Sequence, residues 1–235
     1  MAPQSAPRTA RARARDELSR EIKDAARRQL AEHGAAGLSL RAVAREMGMV
    51  SSAIYRYFPS RDDLLTALII DSYDALGTAA EQAEAGARRG DFPGRWMAVV
   101  RAARRWALAR PQEWALIFGS PVPGYQAPSD TVDPAARIPL LVLRICSQAT
   151  AAGHSPPPGR RPMPRPVRSD MKALGQIVAW QLSEADLARA VLAWTELIGS
   201  ISFELFGHLH GVVRDYEPYF DYQMRGIGED LGLVP

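Results

Sequence analysis

Hydrophobic positions in the first third of the chain recur at helical rather than strand spacing. Leu18, Ile22, Ala25, Ala26 and Leu30 share one side of a 3.6-residue period, which predicts a helix over about residues 14–33 that stops at Gly34. Ser39 is placed to cap a second helix over about 40–47, broken at Gly48. A third runs from about Ser51 to Phe58 and is ended by Pro59. Ser60, with Asp63 three residues on, approximates a capping box for a fourth. Its Leu64, Leu65, Leu68, Ile69, Tyr73 and Leu76 lie on one face, and the segment is long enough to link two domains.

Beyond a glycine-containing break at 86–94 the pattern stays helical. Helices are predicted over 94–109 (rich in Trp and Arg, stopped by Pro111), 112–118, 132–152, 183–211 and 217–231. The span GHSPPPGRRPMPRPVRSD, residues 153–170, holds six prolines and four arginines, and reads as an irregular, mobile loop. No stretch alternates with period two and no internal repeat is visible, so the predicted class is all-α.

Charge sharpens this picture. Residues 1–61 carry 12 Lys and Arg against 6 Asp and Glu, whereas the rest of the chain is mildly acidic. A basic head on an acidic body suits a polyanion, or else a solvated tail. The single cysteine, Cys146, excludes an internal disulfide framework and sits among apolar neighbours. The amino end lacks the apolar core of a secretory signal, and no run approaches the ~18–20 apolar residues of a membrane span. The expectation is a soluble, cytoplasmic protein without membrane contact.

The stretch LSLRAVAREMGMVSSAIYRYF, residues 38–58, carries the most information. Ala44 is small where two helices must approach, and Gly48 fits a left-handed corner. Val50, Ile54 and Phe58 recur every four residues and are expected to pack inward against Leu40 and Val43. Ser52, Tyr55 and Arg56 then share the outward face. A helix this short buries too little to exist for packing alone, yet it fits a major groove ~12 Å wide. Spacing by itself also allows a plain three-helix bundle.

Residues 14–75, and SAIYRYFPSRDDLLTAL above all, resemble the DNA-binding domain of TetR-family bacterial transcriptional regulators. Tyr55, Tyr57, Phe58, Arg61 and Leu64 match that pattern in place. The resemblance implies phosphate contacts from Ser39 and Arg41. It puts Ser51, Ser52 and Ala53 at the groove, Tyr55 and Tyr57 near the backbone, and Arg61 at the start of the fourth helix, where lysine is more usual. Arg56 is the residue best suited to read a base, by bidentate pairing with guanine. The arm bearing Arg8, Arg11, Arg13 and Arg15 is either a source of non-specific or minor-groove contacts or a solvated tail. The implied organisation is a disordered basic arm (1–12), a helix-turn-helix domain (13–60) and a helical effector-binding and dimerisation domain (61–235).

A DNA reader of this size gains affinity from a second half-site, so a homodimer on a palindromic duplex is expected. Trp194, Ile198, Ile201, Leu205 and Leu209 form a continuous stripe suited to the interface, with Leu192, Leu197, Phe203 and Phe206 on a second apolar face. Trp194, His210 and Gly211 resemble a C-terminal type found in the same family. Trp96, Trp106, Trp114, Phe118 and Trp180 are either core or the lining of a pocket for a small apolar or aromatic effector, which the resemblance implies without naming. The resemblance also points to a repressor released from its operator by that effector. Glu204 and His208 stand at i,i+4, but only two ligands are in view, so structural roles are expected and no metal or cofactor is assigned. No phosphate loop, nucleophile elbow or other catalytic set is visible, and no enzymatic activity is expected. The rival is a helical ligand-binding or enzymatic protein whose helix-turn-helix serves structure only.

Overall fold

The computed structural model describes residues 10–157, 162–178, 180 and 182–234. Its regular elements are all helical: α1 (Ala10–His33), α2 (Leu40–Glu46), α3 (Ser51–Ile54), α4 (Arg61–Ala85), α5 (Phe92–Ala109), α6 (Pro111–Phe118), α7 (Val132–Ala151), α8 (Arg165–Val178), α9 (Glu184–Leu205) and α10 (Tyr216–Asp230), with short 3-10 turns at Ala35–Gly37 and Ser129–Thr131. The predicted all-α class holds.

Two apolar clusters organise these helices. The first joins α1, α2, α3 and the start of α4 through Ile22, Ala25, Val43, Ile54, Leu64 and Leu68, all at or near zero exposure. The second joins α5, α7, α9 and α10 with the far half of α4 around Trp96, Val99, Ile145, Leu197 and Met224. α4 serves both, giving Leu64–Ile69 to the head and Leu76 and Ala80 to the body. The first cluster therefore runs past residue 60 into α4. No helix among the described residues is long and apolar enough to cross a membrane.

Local chemistry explains the helix starts. The Ser60 hydroxyl accepts from the Asp63 amide at 3.1 Å, and Asp91 Oδ1 accepts from the Gly94 amide at 2.9 Å, so orphan donors at the starts of α4 and α5 are satisfied. Ser183 and Asp186 close a reciprocal capping box at α9. α8 lies partly inside the span expected to be a loop. Pro166 is its second residue, a first-turn position that needs no intrahelical donor, and the Arg168 amide closes the turn onto the Pro164 carbonyl at 3.0 Å. Met171, Leu174 and Val178 then pack against the second cluster. Residues 1–9 of the expected arm and 158–161 of the expected loop lie outside the described residues, and Ala10–Ala12 already belong to α1.

The body is fixed by specific polar ties. Trp96 Nε1 donates to the Met224 carbonyl at 2.6 Å, and a Cβ on Gly228 would come within 3.1 Å of the same indole, so α10 lies flush on α5. Arg95 and Glu84 form a fully buried pair, with Arg95 Nε 2.8 Å from Glu84 Oε1 and its Nη2 2.7 Å from Gln148 Oε1. Arg104 grips Glu204 at two points, 2.8 and 2.7 Å. Burial pushes the Cys146 thiol up to about 12, so it behaves as an inert core group.

Candidate nucleic-acid interface

The corner between α2 and α3 is closed by backbone bonds. Gly48 takes φ +64°, and the Met49 amide donates to the Ala44 carbonyl at 2.8 Å. A side chain at Gly48 would be strained by that φ although space is open around it. Ile54 and Phe58 face inward with Leu40, Val43 and Ala44, all buried. Val50, expected to join them, is instead 70% exposed. It is the N-cap of α3 with extended backbone (ψ 134°), which turns its side chain off the inner face.

Regular helix ends at Ile54, but the Tyr57 and Phe58 amides both donate back to the Ile54 carbonyl, at 2.9 and 3.0 Å. This tightened turn keeps Tyr55 and Arg56 outward. Ser51, Ser52, Tyr55 and Arg56 are exposed together, Ala53 and Tyr57 are half-buried at the edges, and Arg41 is exposed on α2. The half-buried Ser39 caps α2 weakly, its hydroxyl 3.5 Å from the Ala42 amide. The outward face can accept hydrogen bonds, donate them and carry positive charge; Val50 adds an apolar contact that periodicity had assigned to the core.

Arg61 is the first residue of α4. Its Nε donates to the Leu38 carbonyl at 3.1 Å and its Nη2 to the Ala35 and Ala36 carbonyls at 2.9 and 3.3 Å. The guanidinium thus pins the start of α4 to the turn before α2. Arg15 of α1 lies at the other side of the interface, with its guanidinium 6.0 Å from the Tyr57 ring centroid. Behind the head, Asp71 of α4 binds Lys23 and Arg27 of α1, at 2.9 and 2.7 Å. Glu113 of α6 accepts from Ser72 at 3.2 Å and faces Arg27 at 3.6 Å. Tyr73, whose burial raises its phenol pKa, donates to the Ile117 carbonyl at 3.2 Å. These contacts join α6 of the body directly to the head.

On α9 the two apolar faces divide as follows. Ile201 and Leu197 are fully buried in the body's own core, while Trp194, Ile198 and Leu205 are half-buried against it. Leu192 and Phe203 stay 56% and 53% exposed. Between α9 and α10 runs a groove of about 730 Å³ lined by Gly199, Ser200, Phe203, Leu209, Tyr222 and Gly226, among others. The aromatic set expected at a pocket is not gathered around one cavity. Trp114 is fully buried with Phe118 4.5 Å away; Trp106 borders a hollow between α4 and α5; Trp180 borders another with Arg137 and Arg144. Glu204 is engaged by Arg104 rather than by His208, and no group of three metal-ligating side chains occurs among the described residues.

Residues 22–68 match the model of bacterial regulatory proteins of the tetR family, and residues 96–227 match that of the tetracyclin repressor-like C-terminal domain. Two HTH-type transcriptional regulators, Mb1846 of Mycobacterium bovis and Rv1816 of Mycobacterium tuberculosis, are each 39% identical to this chain, covering 90% of it and 91% of themselves. The crystal structure of a proposed regulatory protein, SCO4313, superimposes with a TM-score of 0.75 at 35% identity, over 94% of this chain and 98% of that one. A protein of unknown function from Rhodococcus sp. RHA1 does so with a TM-score of 0.70 at 26% identity, over 92% and 95%. With its two-cluster helical fold, its outward α3 face and both family matches, the chain belongs to the TetR family of DNA-binding transcriptional regulators.

Proposed function

We propose that the chain acts in the cytoplasm as a homodimeric repressor, released from a palindromic operator when a small apolar or aromatic molecule binds its body. The observation that carries the DNA-facing half of this reading is the outward set Ser51, Ser52, Tyr55 and Arg56 on a segment whose opposite side, Ile54 and Phe58, is buried. Small side chains at the amino end of α3 let its backbone approach the groove, Arg56 reads a base, and Val50 is suited to a thymine methyl. Ser39, Arg41, Tyr55 and Tyr57 contact phosphates alongside, and Arg61 supports the reading segment from behind. A second copy joins across the α9–α10 groove, where Leu192, Phe203 and Tyr222 expose apolar surface beside Gly199 and Ser200, with Trp194, Ile198 and Leu209 toward its margins. Effector binding shifts the heads through α6, whose Glu113 and Ile117 touch α1 and α4.

Selection of duplex DNA by the purified protein, followed by footprinting with and without candidate effectors, tests the reading. The expected result is a palindromic footprint, affinity that falls steeply with log salt, and Arg56→Ala that relaxes preference at one base pair by about 1–3 kcal/mol. A protein that selects no sequence, or whose Arg56→Ala variant selects the same one with the same strength, overturns it.

A further inference from the structure

The core-facing stripe of α1 does not end where the head's core ends. Ile22 is fully buried and Leu18 packs at the edge of the first cluster. One and two turns nearer the amino end, the same stripe continues as Arg15 and Arg11. These two side chains, with Ala14, Leu18, Arg56 and Tyr57, line a hollow of about 380 Å³ in the angle between α1 and the end of α3. Three arginines and a tyrosine line it, and among the described residues no Asp or Glu does. Arg15 is already steered into place: its Nη2 lies 3.5 Å from the Arg56 carbonyl and its guanidinium lies over the Tyr57 ring.

A concave surface carrying several guanidiniums matches a phosphodiester, which accepts paired N–H groups and brings the missing negative charge.

We propose that Arg11 and Arg15 of α1 clamp two successive phosphates of the DNA backbone, one each, beside the groove that α3 enters, making α1 a second wall of the interface. This rests on the DNA-reading role proposed above and adds to it a contact that carries no sequence information. Arg56, which also lines the hollow, stands between the clamp and the base edges.

The test uses the full chain, a ~30 bp duplex carrying the selected operator, a random duplex of equal length, and fluorescence anisotropy over a salt series. Each lost phosphate contact flattens the slope of log K against log salt by about 0.9. Arg11→Ala with Arg15→Ala is expected to flatten it by about 1.8 and to weaken both duplexes by the same factor. Arg20→Ala removes the same charge from the opposite side of α1 and is expected to leave the slope within about 0.3 of wild type. Arg11 is exposed, so Arg11→Ala alone, expected to flatten the slope by about 0.9, gives the answer if the double variant melts early. An unchanged slope in Arg11→Ala, a slope lowered equally by Arg20→Ala, or a loss confined to the operator overturns the clamp while leaving the α3 reading intact. A wild type that binds neither duplex overturns both.

Discussion

The head and the body of this molecule are held together by different means. The head buries a small, aliphatic cluster with one phenylalanine, Phe58, and no tryptophan, and it borrows the first turns of α4 to complete it. The body buries Trp96, Trp106 and Trp114 and encloses a charged pair, Glu84 with Arg95, at 2% and 1% exposure. A unit of about 60 residues buries a smaller share of its surface than a larger one does. The head accordingly depends on capping and on Arg61 donating to backbone carbonyls, whereas the body has apolar surface to spare and leaves some of it on α9 and α10. Exposed surface differs in the same sense, being polar and cationic on α3 and apolar on α9.

The sharpest way to break the contrast is inside the body. Arg95→Leu removes the shortest partner of the Glu84 carboxylate and leaves it with Arg144 at 3.1 Å and Arg89 at 3.4 Å. Stranding one member of a buried pair typically costs about 3–5 kcal/mol. Guanidinium denaturation should show a loss of that size; a loss below about 1 kcal/mol would mean that apolar packing alone joins α4 to α5. Next in size is the exposed apolar face. Phe203→Glu places a carboxylate in the proposed dimer groove of both copies, and about 2–4 kcal/mol of association should disappear. Light scattering would then report a monomer at concentrations where the wild type is dimeric, with the subunit's own melting unchanged. A dimer that survives the substitution moves the interface away from α9.

Arg61→Ala sharpens the comparison from the head's side. Hydrogen bonds from a charged group contribute about 1.5–3 kcal/mol, and Arg61 makes several to Leu38, Ala35 and Ala36. Head stability, followed by circular dichroism, should fall by about 2 kcal/mol, while the salt slope of DNA binding in the folded protein stays as in wild type. A flattened slope with unchanged melting would instead make Arg61 a phosphate contact.

Arg61 also shows where the sequence speaks and where it does not. Positions whose environment is set by near neighbours were legible: Gly48 at the corner, Ser60 and Asp63 at the cap, Ile54 and Phe58 facing inward. Positions whose partners are remote in the chain were not, because spacing records that a cation stands at residue 61 but not that three carbonyls lie 23 to 26 residues back. α9 shows the same limit. Its residues are apolar on two sides, and periodicity cannot say which side the body will claim; Ile201 went to the core and Phe203 to the surface. α8 was hidden for a compositional reason. Prolines counted as evidence against a helix over 153–170, yet Pro164 and Pro166 flank and enter its first turn, where proline is tolerated.

The smallest effect expected separates surface from buried electrostatics in the body. Arg101 of α5 donates from Nε to Asp221 of α10 at 2.8 Å, and this hydrogen bond, with the positive charge of Arg101, Arg225 and Arg104, holds the Asp221 carboxyl below its ordinary value of 3.8. A carboxyl whose pKa is lowered on folding stabilises the fold above its unfolded pKa, and that contribution vanishes as pH falls through the folded value. The Arg101 side chain is 43% exposed, so solvent screens the pair to about 0.5 kcal/mol. Asp221→Asn should lower the urea midpoint slightly at pH 7, and the two curves should converge as the pH is taken below 3.8. Added salt should shrink the difference at pH 7, whereas the penalty of Arg95→Leu should persist, because water and ions do not reach Glu84. A salt-insensitive Asp221 effect would place that pair with the buried one, and the division between a charged surface and a charged core would lose its physical basis.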